Sequence, residues 1–207
     1  MAVRRVLQIE DPADAPILRA KANRISAFDA SLRTLVDDMI ETMHDAFGVG
    51  IAAPQVGVQR RVLIVEEPAE YEELEDGTKR ETRAAQLFVM INPEIIKASE
   101  EVVELIEGCL SMPGRYGEVP RHAWVTVKYH DLNGKEQRLR RAAAERYRVG
   151  HIVQHEIDHL NGIMFTDRMP DISKLEDVRE AQANDTKKRA LLMRRRAAAR
   201  TKQAEEA

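Results

Sequence analysis

The chain is 207 residues long and carries a formal net charge of −3. That length suffices for one well-cored domain plus an extension, and the charge balance gives no global pull toward nucleic acid. A single cysteine excludes an internal disulfide and fits a reducing compartment, and no apolar run nears the roughly 20 residues a spanning helix needs.

The opening MAVRRVLQIEDP lacks the apolar stretch of a secretory signal, so the expected setting is a bacterial cytoplasm rather than an organelle. Leu32, Leu35, Val36, Met39, Ile40, Met43 and Phe47 then fall on one stripe of a long amphipathic helix. Gly48 is the expected residue just past its end. The segment GVGIAAPQ (48–55) follows. Its small residues Gly50, Ala52 and Ala53 let another backbone approach closely. Gln55 closes it with a carboxamide able to donate to a carbonyl oxygen.

Residues 61–65 and 87–91 read as strands. Between them Glu66, Glu67, Glu70, Glu72, Glu73, Glu75 and Asp76 run without a base, and Asp76-Gly77 is a hairpin-turn signal. An exposed hairpin or loop is expected there. A strand-like run at 102–106 leads into EGCLSMP (107–113), where Cys109 is either a small buried hydrophobe or a thiol presented to a neighbouring helix. Ser111 and Pro113 are expected to end any regular element. Residues 124–129 alternate, with Val125, Val127 and Tyr129 on one face, and Asp131 to Gly134 turns the chain into a strand at 135–140. Hairpin-joined strands with helices toward the two ends imply an α+β fold rather than a parallel α/β sheet.

The most informative segment is HEIDH, His155 to His159. Val149, Ile152, Val153, Ile157 and Leu160 form an apolar helical stripe around it, and Asn161-Gly162 is a stop signal. Histidines at i and i+4 lie on one helix face, roughly 5–6 Å apart at Cβ, so both imidazoles reach one metal ion. Glu156 sits beside that ion, placed to act as general base. Three protein ligands and one open position make a catalytic metal site, so a third ligand is needed. A continuation to a third histidine fails, because Phe165 stands at that position. Glu176 or Glu180 would supply a carboxylate of the thermolysin type. Cys109 would supply a thiolate. His151, one helical turn before His155, would instead close the site with a fourth protein ligand.

Taken together and in this order, GVGIAAPQ, EGCLS and QHEIDH resemble the three signature motifs of peptide deformylases, over about residues 18–168. The resemblance implies a compact α+β fold and removal of the N-formyl group from the formylmethionine that begins new proteins. It implies Cys109, His155 and His159 as metal ligands and Glu156 as catalytic base. Gln55 and the backbone N–H of Leu110 would hold the formyl oxygen, and the backbones of Val49, Gly50 and Gly108 would pair with the peptide. A thiolate with two imidazoles suits zinc, iron, nickel or cobalt. The resemblance favours Fe(II).

On this reading residues 1–170 form the catalytic domain and 171–207 a charged tail, helical or partly disordered. The tail carries Lys187, Lys188, Arg189, Arg194, Arg195, Arg196, Arg200 and Lys202 over 187–202 with no acid among them. Such a run is a solvated arm or a grip for phosphate backbone, and ribosomal RNA is the partner expected of an enzyme acting on nascent chains.

Overall fold

The computed structural model describes residues 2–74, 77–146 and 148–179. Helices α1 (Ala15–Leu18) and α2 (Ala30–Asp45) precede strands β1 (Gly50–Ala52) and β2 (Val62–Glu67), then the hairpin β3 (Glu70–Glu73) and β4 (Lys79–Arg83). Strands β5 (Gln86–Ala98), β6 (Val102–Cys109), β7 (Met112–His122), β8 (Trp124–His130) and β9 (Glu136–Ala143) follow. Helix α3 (Val149–Leu160) and the short strand β10 (Glu176–Asp177) come last. Every named strand pairing is antiparallel, in a five-stranded sheet of order β1-β2-β5-β8-β9, a three-stranded sheet of order β10-β7-β6, and the β3–β4 pair. The α+β expectation holds.

Strand β2 shows why the layers form. Side chains alternate across a strand, so a continuous apolar run needs cover on both faces. Val62 and Ile64 pack with the α2 stripe of Leu32, Leu35, Val36, Met39 and Met43. Leu63 and Val65 pack on the opposite side with Ile152, Val153, Ile157 and Leu160 of α3. Helix α3 therefore lies under the large sheet, and its other side meets the small sheet through Glu107, Arg121 and His122. All twelve of its residues are buried.

The end of α2 departs from expectation. Phe47, not Gly48, takes the left-handed position, with φ 54°. Its N–H donates to the His44 carbonyl and that of Gly48 to Met43, the paired bonds that close a helix C-terminus. The stripe ends at Met43, and Phe47 is 96% exposed rather than packed. Pro113 does not end an element either. The turn is Leu110-Ser111, and Pro113 lies within β7.

The acidic stretch forms the expected exposed hairpin, although Glu75 and Asp76 lie outside the described residues. Glu67 is an exception, buried between Arg83 (3.1 Å) and Arg148 (2.9 Å) at the hairpin's base. Strand β10 pairs with β7, and Arg179 reaches Glu10 at 2.8 Å. Among the described residues no helix is long and apolar enough to cross a membrane.

Gly150, in the first turn of α3, lies against the backbone of β9. A Cβ there would sit 2.3 Å from the carbonyl oxygens of Ala142 and Ala143. Alanine ordinarily gains about 1 kcal/mol over glycine in a helix. Backbone overlap of this kind costs at least about 1–3 kcal/mol, and paired strand carbonyls have little room to give. Gly150→Ala is expected to be destabilised in urea unfolding. An unchanged or higher midpoint would show that the α3–β9 contact can open.

Candidate active site

Strand β6 brings the first ligand to α3. Period two turns Glu107 and Cys109 to the same side, and a bulge between Gly108 and Cys109 re-aims the thiol before the chain reverses. On α3, His155 and His159 are one turn apart, as their spacing predicts. Cys109 Sγ lies 3.1 Å from His159 Nε2, and the two Nε2 atoms are 3.2 Å apart. Among the described residues, these three form the cluster able to hold a metal ion.

The donor set fits a cation. A tetrahedral ion with nitrogen and sulfur ligands at about 2.0–2.3 Å separates them by about 3.4–3.6 Å, close to the spacing present. Orientation is fixed from behind. Glu107 accepts from His155 Nδ1 at 2.7 Å, which leaves Nε2 free to ligate. Burial pushes the Glu107 carboxyl up, but hydrogen bonds from Arg121, His151 and His155 outweigh this and hold it far below the usual carboxylate range. Burial pushes His155 down, while Cys109 and Glu107 more than reverse that and hold it well above an ordinary imidazole. Burial, then the charge on His155, drives His159 well below. Two imidazoles among so many acceptors are a site that positive charge completes.

Behind the ligands lies a closed ionic network. Arg121 holds Glu107 through two bonds of 2.6 and 2.8 Å and reaches Asp158 at 2.6 Å, and Asp158 also accepts from Arg168. His151 donates into this network, with Nε2 3.1 Å from Glu107, and does not join the metal ligands. Glu176 is exposed on β10, paired with Tyr116 of β7, and Glu180 lies outside the described residues. The thermolysin-type carboxylate thus finds no support from Glu176.

In front of the ligands lies a cavity of about 640 Å³, lined among others by Gln55, Cys109, His155 and Glu156. Burial pushes the Glu156 carboxyl up to about 7, and its Oε2 has no hydrogen-bond partner. A cation beside it favours the ionised form. A Cβ on Gly50 would come within 2.4 Å of Glu156 Oε1 and 2.6 Å of Ile152 Cγ2, so a side chain there would displace the Glu156 carboxylate. Gln55 is oriented by its own backbone neighbour: Oε1 accepts from the Ala52 N–H at 2.8 Å. Its NH₂ group is thereby turned toward Cys109 Sγ (3.5 Å) and Ser111 Oγ (3.3 Å). Leu110, at the turn, lines the same cavity, as do Val49, Gly50 and Gly108.

The model of the polypeptide deformylase family matches residues 3–175 of this chain. The chain belongs to the peptide deformylase family. A peptide deformylase from a Roseiflexus species is 52% identical over 183 residues, covering 88% of this chain and 97% of that one. A class I type b peptide deformylase from Acinetobacter baumannii superposes with a TM-score of 0.65 at 36% identity, covering 81% of this chain and all of the other. The Ehrlichia chaffeensis peptide deformylase, solved in complex with actinonin, gives a TM-score of 0.68 at 35% identity, covering 84% and 92%. The chain is accordingly a hydrolase of the metal-dependent deformylase class, acting on the N-formyl group of nascent polypeptides.

Sequence reasoning placed the ligand and base candidates but missed what orients them. Glu107 stands inside the EGCLS motif and its β6 phase points it the same way as Cys109, so that signal was available. Arg121 and Asp158 carry no local signal, because their partners are 14 and 37 residues away.

Proposed function

We propose that Cys109, His155 and His159 hold one divalent metal, Fe(II) in the cell, and that Glu156 is the general base of N-formyl hydrolysis. The observation that carries this is the convergence of Sγ and two Nε2 atoms beside a cavity lined by Cys109, His155, Glu156 and Gln55. An ion held by Cys109, His155 and His159 would supply Lewis acidity, acidifying water and polarising the formyl carbonyl. Glu156 accepts a proton from the attacking water as oxygen adds to the formyl carbon. Gln55 Nε2 and the Leu110 N–H donate to the formyl oxygen as it gains negative charge. Glu156 then returns the proton to the amine nitrogen, the C–N bond breaks, and formate leaves.

The substrate backbone fits between two sheet edges. Strand β1 ends the large sheet and β6 ends the small one, and Gly50 and Gly108 on them both line the cavity. An extended peptide adds to such edges through main-chain hydrogen bonds. The Val49 carbonyl already accepts from the Glu66 N–H, which leaves the Val49 N–H for the substrate. The Acinetobacter baumannii relative has been solved with Met-Ala-Ser bound. Formate release from formyl-Met-Ala-Ser, with Fe(II)-loaded protein handled without oxygen and with chelated protein beside it, tests the reading. No release by the loaded protein would overturn it.

Gln55→Leu keeps the volume, removes the donor and touches no ligand. Metal content should stay near one per chain while kcat falls by about 10²–10³. A normal kcat with raised KM would mean that Gln55 only positions the substrate.

The proposal extends to the cell. The catalytic body extends past the expected boundary at 170, because β10 completes the small sheet and Arg179 is tied to Glu10. It acts in a bacterial cytoplasm, and the basic tail, which lies outside the described residues beyond 179, contacts ribosomal RNA. Deleting residues 186–207 should weaken ribosome binding in a salt-dependent way and leave turnover of a short formyl peptide unchanged. Equal ribosome affinity with and without the tail, at both low and moderate salt, would remove this part of the proposal.

A further inference from the structure

Phe47 is an anomaly in the fold. It is a bulky aromatic residue in the left-handed region, at the helix-end position that glycine or asparagine fills with less strain. Its ring is 96% exposed, so core packing does not compensate for that strain. Residues kept in such conformations cluster at binding and catalytic sites. Phe47 does lie at one: it lines the mouth of the cavity whose floor is Cys109, His155 and Glu156, and it directly precedes Gly48, Val49 and Gly50.

The direction of the substrate follows from the cavity. A formyl group at the buried floor sends the rest of the polypeptide out through the mouth. If the formylmethionine lies antiparallel to β1 opposite Gly50, the third residue lies opposite Gly48. Gly48 has no side chain, and the Phe47 ring stands next to it. Facing apolar surface comes from the small sheet: Ile106 is 52% exposed and Tyr116 40% exposed, and both line the same cavity. The Tyr116 ring covers Gly108, where a Cβ would meet it at 2.7 Å.

We propose that Phe47 is a specificity-determining residue, its ring forming one wall of a subsite that takes an apolar side chain at the third residue of the formylated polypeptide. This rests on the deformylase reading of the site. Contacts of an aromatic ring with an apolar side chain correspond to a preference of about three- to tenfold.

The test compares kcat/KM for formyl-Met-Ala-Phe and formyl-Met-Ala-Ser in the Fe(II)-loaded full chain, in Phe47→Asn and in Phe47→Tyr. The natural chain should prefer the phenylalanine peptide by three- to tenfold. Phe47→Asn should bring the ratio close to one, and Phe47→Tyr should restore it. Asparagine tolerates the left-handed backbone, so Phe47→Asn should also melt at a higher temperature. A ratio near one in the natural chain, or a ratio untouched by Phe47→Asn, overturns the proposal. So does a lower melting temperature for Phe47→Asn, which would make the ring a structural element. Release of formate from neither peptide by the natural chain is a separate result, and it overturns the deformylase reading itself.

Discussion

Cys109→Ala should lose metal and activity together, whereas Glu156→Gln should keep metal and lose only turnover. Two imidazoles from one helix offer two ligand atoms, and without the thiolate no described side chain takes its place: His151 is held by Glu107 and Glu176 is remote. Glu156 is not among the clustered ligands, and its amide analogue has the same shape against Gly50. An amide does not take up the proton of the attacking water, so kcat should fall by at least about 10²–10⁴. Metal analysis beside a formate-release assay on both purified variants gives a two-by-two result. Metal and activity retained in Cys109→Ala would make Cys109 an ordinary core thiol. Full activity in Glu156→Gln would leave the ligands standing and move the base elsewhere.

What the sequence made legible was whatever local spacing encodes. The i, i+4 histidines, the apolar stripes of α2 and α3, and the alternation of β8 all translate directly into which side chains share a face. The ends of elements were less legible, because they depend on what the chain meets next. Phe47 sits in a conformation its own residue type disfavours, and Pro113 lies within a strand that its type argues against. The orienting network was least legible. Glu107, Arg121, Asp158 and His151 become neighbours only when the small sheet closes over α3. Nothing in the identity of Arg121 says that it faces two carboxylates in the interior.

That network carries the second large effect. The Arg121 and Glu107 side chains are 4% and 2% exposed, so they interact in a low-dielectric interior. Arg121→Met removes the cation shared by Glu107 and Asp158 and leaves Glu107 with only imidazole partners. Breaking a buried pair from one side costs about 3–5 kcal/mol. At this chain length that lowers the melting temperature by about 6–20 °C. Replacing both partners is different, because a buried pair exchanged for packed apolar residues is often neutral. Arg121→Met with Glu107→Leu should therefore recover most of the lost stability, since Asp158 keeps Arg168 at 2.7 Å. It should not recover metal affinity. Without Glu107 nothing fixes the His155 Nδ1 proton, and loss of such an orienting group weakens metal binding by about 10–100-fold. Melting curves and metal-competition titrations on the single and double variants separate the two roles. A double variant that binds metal as tightly as the natural chain would show that Glu107 stabilises the fold but does not orient the ligand.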